Sequence, residues 1–435
     1  MFLIRYIDVA IVKVLESDLI SFERINFRLI ASSLCYALSA LALAGVSAIS
    51  RAEGPAPVYI GLDEAYSQKT NTAVHAIETG IRIAIEEINQ HGGVLGGRPL
   101  ALKTTDNQGI SAIAKDNFES LAAIPDMVAI MGGRYSPIVV ETIPLAQKFE
   151  IPTISVWGSA DQITDTQSDP SYAFRLSLKD SWGVEAMMRH ALTQFKAKRI
   201  CAILPSTAWG RSSDSVLKSK SSAVGVEVTT VRWYNWGETN MAVHYTLCKE
   251  SNAQAILLVA NEREASILIN QIASVPDQEL LPIVAHWGVT GGTFFKMVGN
   301  NLKQVTLDVI QTFSFIQNPR LQAQNLARSV MKREKLTNEQ QIVSPVGIAQ
   351  AYDMTKLIAM AVQQAQTTKG SEIRRALESL PVYEGAIKRY DPAFTVTNHD
   401  ALGPEQVVFV KFDASGALIP IKKLNDAALT SRSDN

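Results

Sequence analysis

A chain of 435 residues exceeds what one ordinary hydrophobic core organises, so more than one lobe is expected. With 47% hydrophobic and 19% charged residues, the composition is that of a folded protein rather than a disordered one. The 41 Lys and Arg against 42 Asp and Glu leave a formal charge of -1, with no basic block and no stripe of interleaved aromatic and basic side chains, which argues against nucleic acid as the main partner.

Residues 1–52 read as an N-terminal extension and signal peptide. From Leu29 to Ser50 there is no charge, Arg24 and Arg28 precede the stretch, and Val46-Ser47-Ala48 and Ser50-Arg51-Ala52 offer two small-residue cleavage sites. The same stretch is long enough for an uncleaved anchor, since about 20 residues span a bilayer. Its many Ala and Ser residues, in place of a Leu/Ile/Val block, favour cleavage and export. Asp8, Glu16, Asp18 and Glu23 sit upstream of a segment that should open with basic residues, so translation is expected to begin close to Arg24. Cys35 follows Leu34 rather than a small residue, so no lipid anchor is expected.

Val58 to Leu62 is a short apolar run ending near a polar loop, followed by helical spacing over Gly80 to Asn89. The unit recurs: strand Leu100 to Lys103 and helix Ala112 to Ala123, strand Met127 to Met131 and a helix from Pro137, then strand Thr153 to Val156. A second series runs helix Trp182 to Phe195, strand Arg199 to Leu204, a helix from Ser212, strand Val226 to Trp233 and helix Met241 to Glu250. It continues with strand Ala255 to Val259, helix Ala265 to Ala273 and strand Pro282 to Ala285. Helices over Val346 to Gln366 and Ser371 to Leu380 follow, then β-like segments ending at Val407 to Phe412 and a polar tail. Short buried strands alternating with helices predict an α/β protein of two Rossmann-like lobes with parallel sheets. Cys201 reads as mid-strand and Cys248 as a helix end. An exported protein permits their pairing, but the expectation is two buried free thiols.

A search for chemistry finds no Walker-type phosphate loop, no H-E-x-x-H, no G-x-S-x-G and no paired C-x-x-C. Gly92-Gly93 and Gly96-Gly97 follow a helix and precede a strand, the reverse of a dinucleotide site, and read as a helix stop with a tight turn. The six histidines lack metal-ligand spacing. No catalytic residue, metal or cofactor is therefore expected. Polar and aromatic residues do follow the apolar strands, where open α/β sheets bind ligands. In Gly132-Gly133-Arg134-Tyr135-Ser136-Pro137 and in Val156-Trp157-Gly158-Ser159-Ala160-Asp161, free N–H groups and a serine hydroxyl suit a carboxylate, although Ser136 and Ser159 as plain N-caps fit equally well.

Across residues 57 to 415 the chain resembles the type I periplasmic solute-binding proteins of the branched-chain amino acid (Leu/Ile/Val) binding family of ABC importers. The residues that carry the resemblance are Ala84-x-x-x-Ile88-Asn89, Gly92-Gly93, Gly96-Gly97, Asp106, Ile151-Pro152-x-Ile154-Ser155, Phe174-Arg175 and Ala351-Tyr352-Asp353. The resemblance implies a three-segment hinge near Leu176, Phe313 and Val382. Lobe 1 is then 57–176 plus 313–382, lobe 2 is 177–312 plus 383–425, and 426–435 is a flexible tail. It further implies that Ser136 and Ser159 hold a ligand carboxylate, that the Trp157 carbonyl accepts from an amino group, and that Trp209 and Asn261 contribute from the second lobe.

The acid that holds the ammonium group in that family aligns here with Trp287, and Asp63, Glu64, Asp161 or Glu262 would have to substitute. With Tyr135, Trp157, Trp209 and Trp287 all expected near the cleft, an aromatic or bulky apolar acid becomes a candidate ligand, unless the rings only pack the lobes together. The implied role is a periplasmic protein that clamps a small molecule and delivers it to an ABC permease and ATPase complex, with no membrane insertion after signal cleavage. A ligand-sensing subunit of a separate membrane receptor is the other reading.

Overall fold

The strands form where four to eight apolar residues can be covered on both faces, as parallel sheets require. In the computed structural model, which describes residues 54–273 and 280–421, the first sheet comprises β1 (Val58–Glu64), β2 (Leu100–Asp106), β3 (Met127–Gly132), β4 (Thr153–Ser155) and β5 (Ala173–Arg175). Its order is β2-β1-β3-β4-β5, all parallel, with Val58 opposite Leu100 and Ile60 opposite Ala129. Helices α1 (Thr72–Gln90), α2 (Ser111–Ala122) and α3 (Ser136–Phe149) cover its faces.

The second sheet is built from β6 (Arg199–Pro205), β7 (Glu227–Tyr234), β8 (Ala255–Leu258), β9 (Ile283–Ala285) and β10 (Leu307–Gln311). Between them run α4 (Asp180–Phe195), α5 (Ala208–Val224), α6 (Ala242–Glu250), α7 (Glu262–Ala273) and α8 (Phe294–Val298). The chain then makes α9 (Leu321–Glu334), α10 (Pro345–Ala365) and α11 (Gly370–Leu377), followed by a two-stranded ribbon, β11 (Tyr383–Glu384) with β12 (Arg389–Tyr390). It ends in β13 (Val408–Phe412) and β14 (Leu418–Pro420), which extend the second sheet to the order β14-β13-β10-β9-β8-β6-β7. Only the β10–β13 and β13–β14 pairs of that sheet are antiparallel. These are two α/β lobes with mostly parallel sheets.

Helix α10 buries an almost continuous apolar surface against α1. Their backbones meet at Gly80, where a Cβ would stand 2.2 Å from the Ile348 carbonyl oxygen, so no larger residue fits at that crossing. No helix among the described residues is long and apolar enough to cross a membrane. The leader and the tail fall outside the described residues.

Two expectations need correction. The segment after Tyr383, expected in the second lobe, first packs on the first. Asp353 of α10 accepts the N–H groups of Ala386 and Ile387 and the Tyr390 hydroxyl, the Phe174 ring of β5 stacks on His399, and Arg175 pairs with Asp400 at 2.7 Å. The chain joins the second sheet only at β13. Cys201 and Cys248 are also not free thiols: β6 and α6 bring their Cα atoms to 5.5 Å and a disulfide links them, closing a loop of 47 residues. Such a closure stabilises a fold by about 2–4 kcal/mol. Replacing both cysteines with Ala should lower the urea-unfolding free energy by about that much, and a non-reduced digest should contain the two peptides linked. Separate, alkylatable peptides would refute the pairing.

Candidate functional site

The two sheets present the carboxyl ends of their strands to a common cleft, the place where open α/β sheets gather ligand-binding loops. Arg134, Tyr135, Ser136, Trp157, Gly158 and Ser159 line it from the loops after β3 and β4. Trp209, Trp236, Asn261, Trp287 and Gly288 line it from the loops and helix starts after β6, β7, β8 and β9. The structure therefore brings together all seven positions singled out from the sequence: Tyr135, Ser136, Trp157, Ser159, Trp209, Asn261 and Trp287. The cavity they enclose measures only about 10 Å³.

The serines do not cap helices. The Ser136 hydroxyl accepts the backbone N–H groups of Ser159 (3.1 Å) and Ala160 (3.3 Å), fastening the β4 loop to the start of α3, and α3 begins without a side-chain cap. Trp157, 1% exposed, meets Trp287 across the cleft with ring centroids 5.6 Å apart. Trp209 enters from the first turn of α5 and packs edge-on against His286, itself fully buried 3.3 Å from Asp180. The indole N–H groups of Trp157, Trp209 and Trp236 are all buried without an acceptor. Such a donor costs about 1–3 kcal/mol while unpaired.

Arg134, to which the sequence alone assigns no role, occupies the centre. Its Nη1 donates to Asn261 Oδ1 (3.1 Å) and its Nη2 to Glu262 Oε2 (2.7 Å) and the Gly288 carbonyl (3.4 Å), all on the second lobe. Nε donates to Asn71 Oδ1 (3.2 Å), and the guanidinium lies within about 5 Å of the Tyr135 and Trp157 ring centroids (5.1 and 5.2 Å). Of the four acids considered as substitutes for the one replaced by Trp287, Glu262 is the one paired with this guanidinium. Trp236, also missed, sits beyond the end of β7 and tilts over Tyr135 at 5.2 Å. Among the described residues no group of three or more His, Cys, Asp or Glu side chains gathers as metal ligands would.

Burial raises two carboxyls near the cleft, Asp161 and Glu64. It pushes the Asp161 carboxyl up to about 6, helped by the nearby Asp180 charge. It pushes Glu64 up to about 8, although Glu64 Oε1 accepts the Arg134 backbone N–H at 3.1 Å, which works the other way. Between its ordinary value of 4.5 and about 8, the folded chain holds a Glu64 proton that the unfolded chain releases, so stability falls as pH rises through that window. Glu64→Gln mimics the protonated side chain. It should unfold in urea like the wild type near pH 5 and be the more stable protein near pH 8; parallel pH profiles would show that Glu64 is ionised in the fold.

Residues 57–417 match the periplasmic binding protein family. No curated protein sequence matches the chain. Among solved structures, a type 1 periplasmic binding protein from Bordetella pertussis superposes with a TM-score of 0.74 at 20% identity, over 84% of this chain and 100% of that one. The branched-chain amino acid transporter substrate-binding protein LivJ from Streptococcus pneumoniae, solved with isoleucine, gives 0.70 at 19% identity over 84% and 99% of the two chains. An ABC transporter solute-binding protein from R. palustris, solved with benzoate, gives 0.70 at 16% identity over 84% and 95%. With two α/β lobes, a cleft between their strand ends and a family match across almost every described residue, the chain belongs to the periplasmic binding protein family and has its type I fold.

Proposed function

We propose that this chain is an exported solute-binding protein that captures a small carboxylate-bearing molecule between its lobes and delivers it to an ABC permease and ATPase complex. The ligand is amino-acid-like or an aromatic or apolar acid. One observation carries the reading: a cleft walled by aromatic rings and lined by three tryptophans whose indole N–H groups have no acceptor, with a guanidinium among them. A carboxylate supplies the acceptors that these donors lack, and charge-assisted bonds to it are the strong ones. The rings supply apolar surface for the remainder of the molecule. The isoleucine and benzoate held by the two fold relatives are of these classes.

In this reading Ser136, Ser159 and the indole N–H groups of Trp157 and Trp209 address the carboxylate, while Tyr135, Asn261 and Trp287 bound the rest. Hinge closure about segments near Leu176 and Phe313 and about a third crossing just before β13, rather than near Val382, brings the two sets together, so a solute shifts the lobes by its differential affinity for the closed form. No catalytic role is assigned.

The test is a thermal-shift series on protein stripped by unfolding and refolding. A solute at one hundred times its dissociation constant stabilises by about 2.7 kcal/mol, enough to raise the midpoint measurably. A response to benzoate but not leucine selects the aromatic-acid class and makes Trp287 the specificity position. A response to leucine instead gives the ammonium group another partner, with Glu262 the acid at hand. No response to any acid of either class would sink the carboxylate reading.

A further inference from the structure

The Arg134 side chain leaves its own lobe and ends in a recess of the other. Its three hydrogen bonds to Asn261, Glu262 and Gly288 all cross the cleft, and only 1% of the side chain remains exposed. The recess is shaped for it. A Cβ on Gly291 would stand 2.4 Å from Arg134 Nη2, and a Cβ on Gly292 would stand 2.4 Å from the Glu262 carboxyl carbon. Other bonds also join the lobes, among them those from the Asp161 N–H to Ser212 Oγ (2.9 Å), from the Ser181 N–H to Asp161 Oδ1 (3.0 Å) and from Ser344 Oγ to the Thr290 carbonyl (3.0 Å), and none of these three carries a guanidinium charge.

Space decides what this arrangement does. With the guanidinium in its recess the cavity measures about 10 Å³, room for about one water molecule. Small-molecule sites run to about 300–1,000 Å³. A solute of even benzoate size and Arg134 cannot share the space between these rings while the side chain keeps its present bonds.

We propose that Arg134 is a tethered stand-in for the solute: its guanidinium holds the lobes shut by bridging to Asn261 and Glu262, and a solute enters only by displacing it from them. The side chain thereby sets specificity, because the incoming molecule must offer an acceptor at least as good as the Glu262 carboxylate to recruit the guanidinium it frees. It also lowers the apparent affinity of every solute by the fraction of molecules in which the latch is closed. The displacement half rests on the solute-binding reading; the latch itself does not.

Small-angle X-ray scattering of the purified protein, stripped and measured without added solute, tests the latch. Arg134→Met keeps an unbranched stem, two atoms shorter, and removes the charge and donors. Gly291→Ala keeps every charge and fills the recess. Both should show a larger radius of gyration than the wild type while retaining its circular dichroism and a cooperative melt. An unchanged radius in either folded variant overturns the proposal, and Gly291→Ala decides alone if Arg134→Met does not fold. Because no solute is present, a chain that ignores every acid in the thermal series would still show the opening. A chain that binds benzoate with unchanged radii would keep its function and lose the latch.

Discussion

A guanidinium shut away from water between two lobes has to be compensated on every side, because an unpaired buried charge costs several kcal/mol. Arg134 meets that constraint with an ion pair to Glu262, carbonyl oxygens from Asn71, Asn261 and Gly288, and two ring faces. Much of the surrounding architecture follows from it. The loop after β3 must aim outward across the cleft, the β9 loop must carry small residues at Gly291 and Gly292, and α7 must begin with an acid. Glu262 stands at that first turn, at the positive end of the helix and beside the guanidinium.

The charge balance of the cleft then rests on few groups. Glu64 lies beside the Arg134 backbone, and burial pushes its carboxyl up to about 8, which works against a second negative charge there. Arg134 and Glu262 neutralise each other. Three indole donors are left without an acceptor, and Asp180 and His286 beside Trp209 likewise make no side-chain hydrogen bond.

Much of the fold was legible because alternation of short apolar runs with helical spacing has one economical solution, a covered parallel sheet, and the series occurs twice. The seven site candidates converge for the same reason: each follows a strand, and strand ends of the two lobes face one another. Local pattern does not report where a long side chain goes. Arg134 stood in a quoted loop, yet its reach of a full lobe gap depends on the recess at Gly291, more than 150 residues away in the chain. Trp236 lies just past the run read as a strand ending at Trp233. The disulfide was missed because strand and helix positions say nothing of the 5.5 Å between Cys201 and Cys248 until β6 and α6 are packed. The 383–402 segment is short of apolar runs, and its attachment to the first lobe comes from polar bonds to Asp353 and Arg175 that no periodicity announces.

The identity of the solute turns on what becomes of Glu262 once its partner is engaged elsewhere. A monocarboxylate that recruits Arg134 leaves Glu262 buried without a counter-charge, which is costly. A zwitterion enters between the two members of the pair and leaves neither alone. Against this, an aliphatic zwitterion draws little from a wall of Tyr135, Trp157, Trp209, Trp236 and Trp287, whereas an aromatic acid gains ring contacts worth about 0.5–1.5 kcal/mol each beyond the area they bury. Charge balance therefore favours a zwitterion and ring packing favours an aromatic body. A molecule with both, an aromatic ring bearing a carboxylate and a nearby donor, satisfies the two constraints at once.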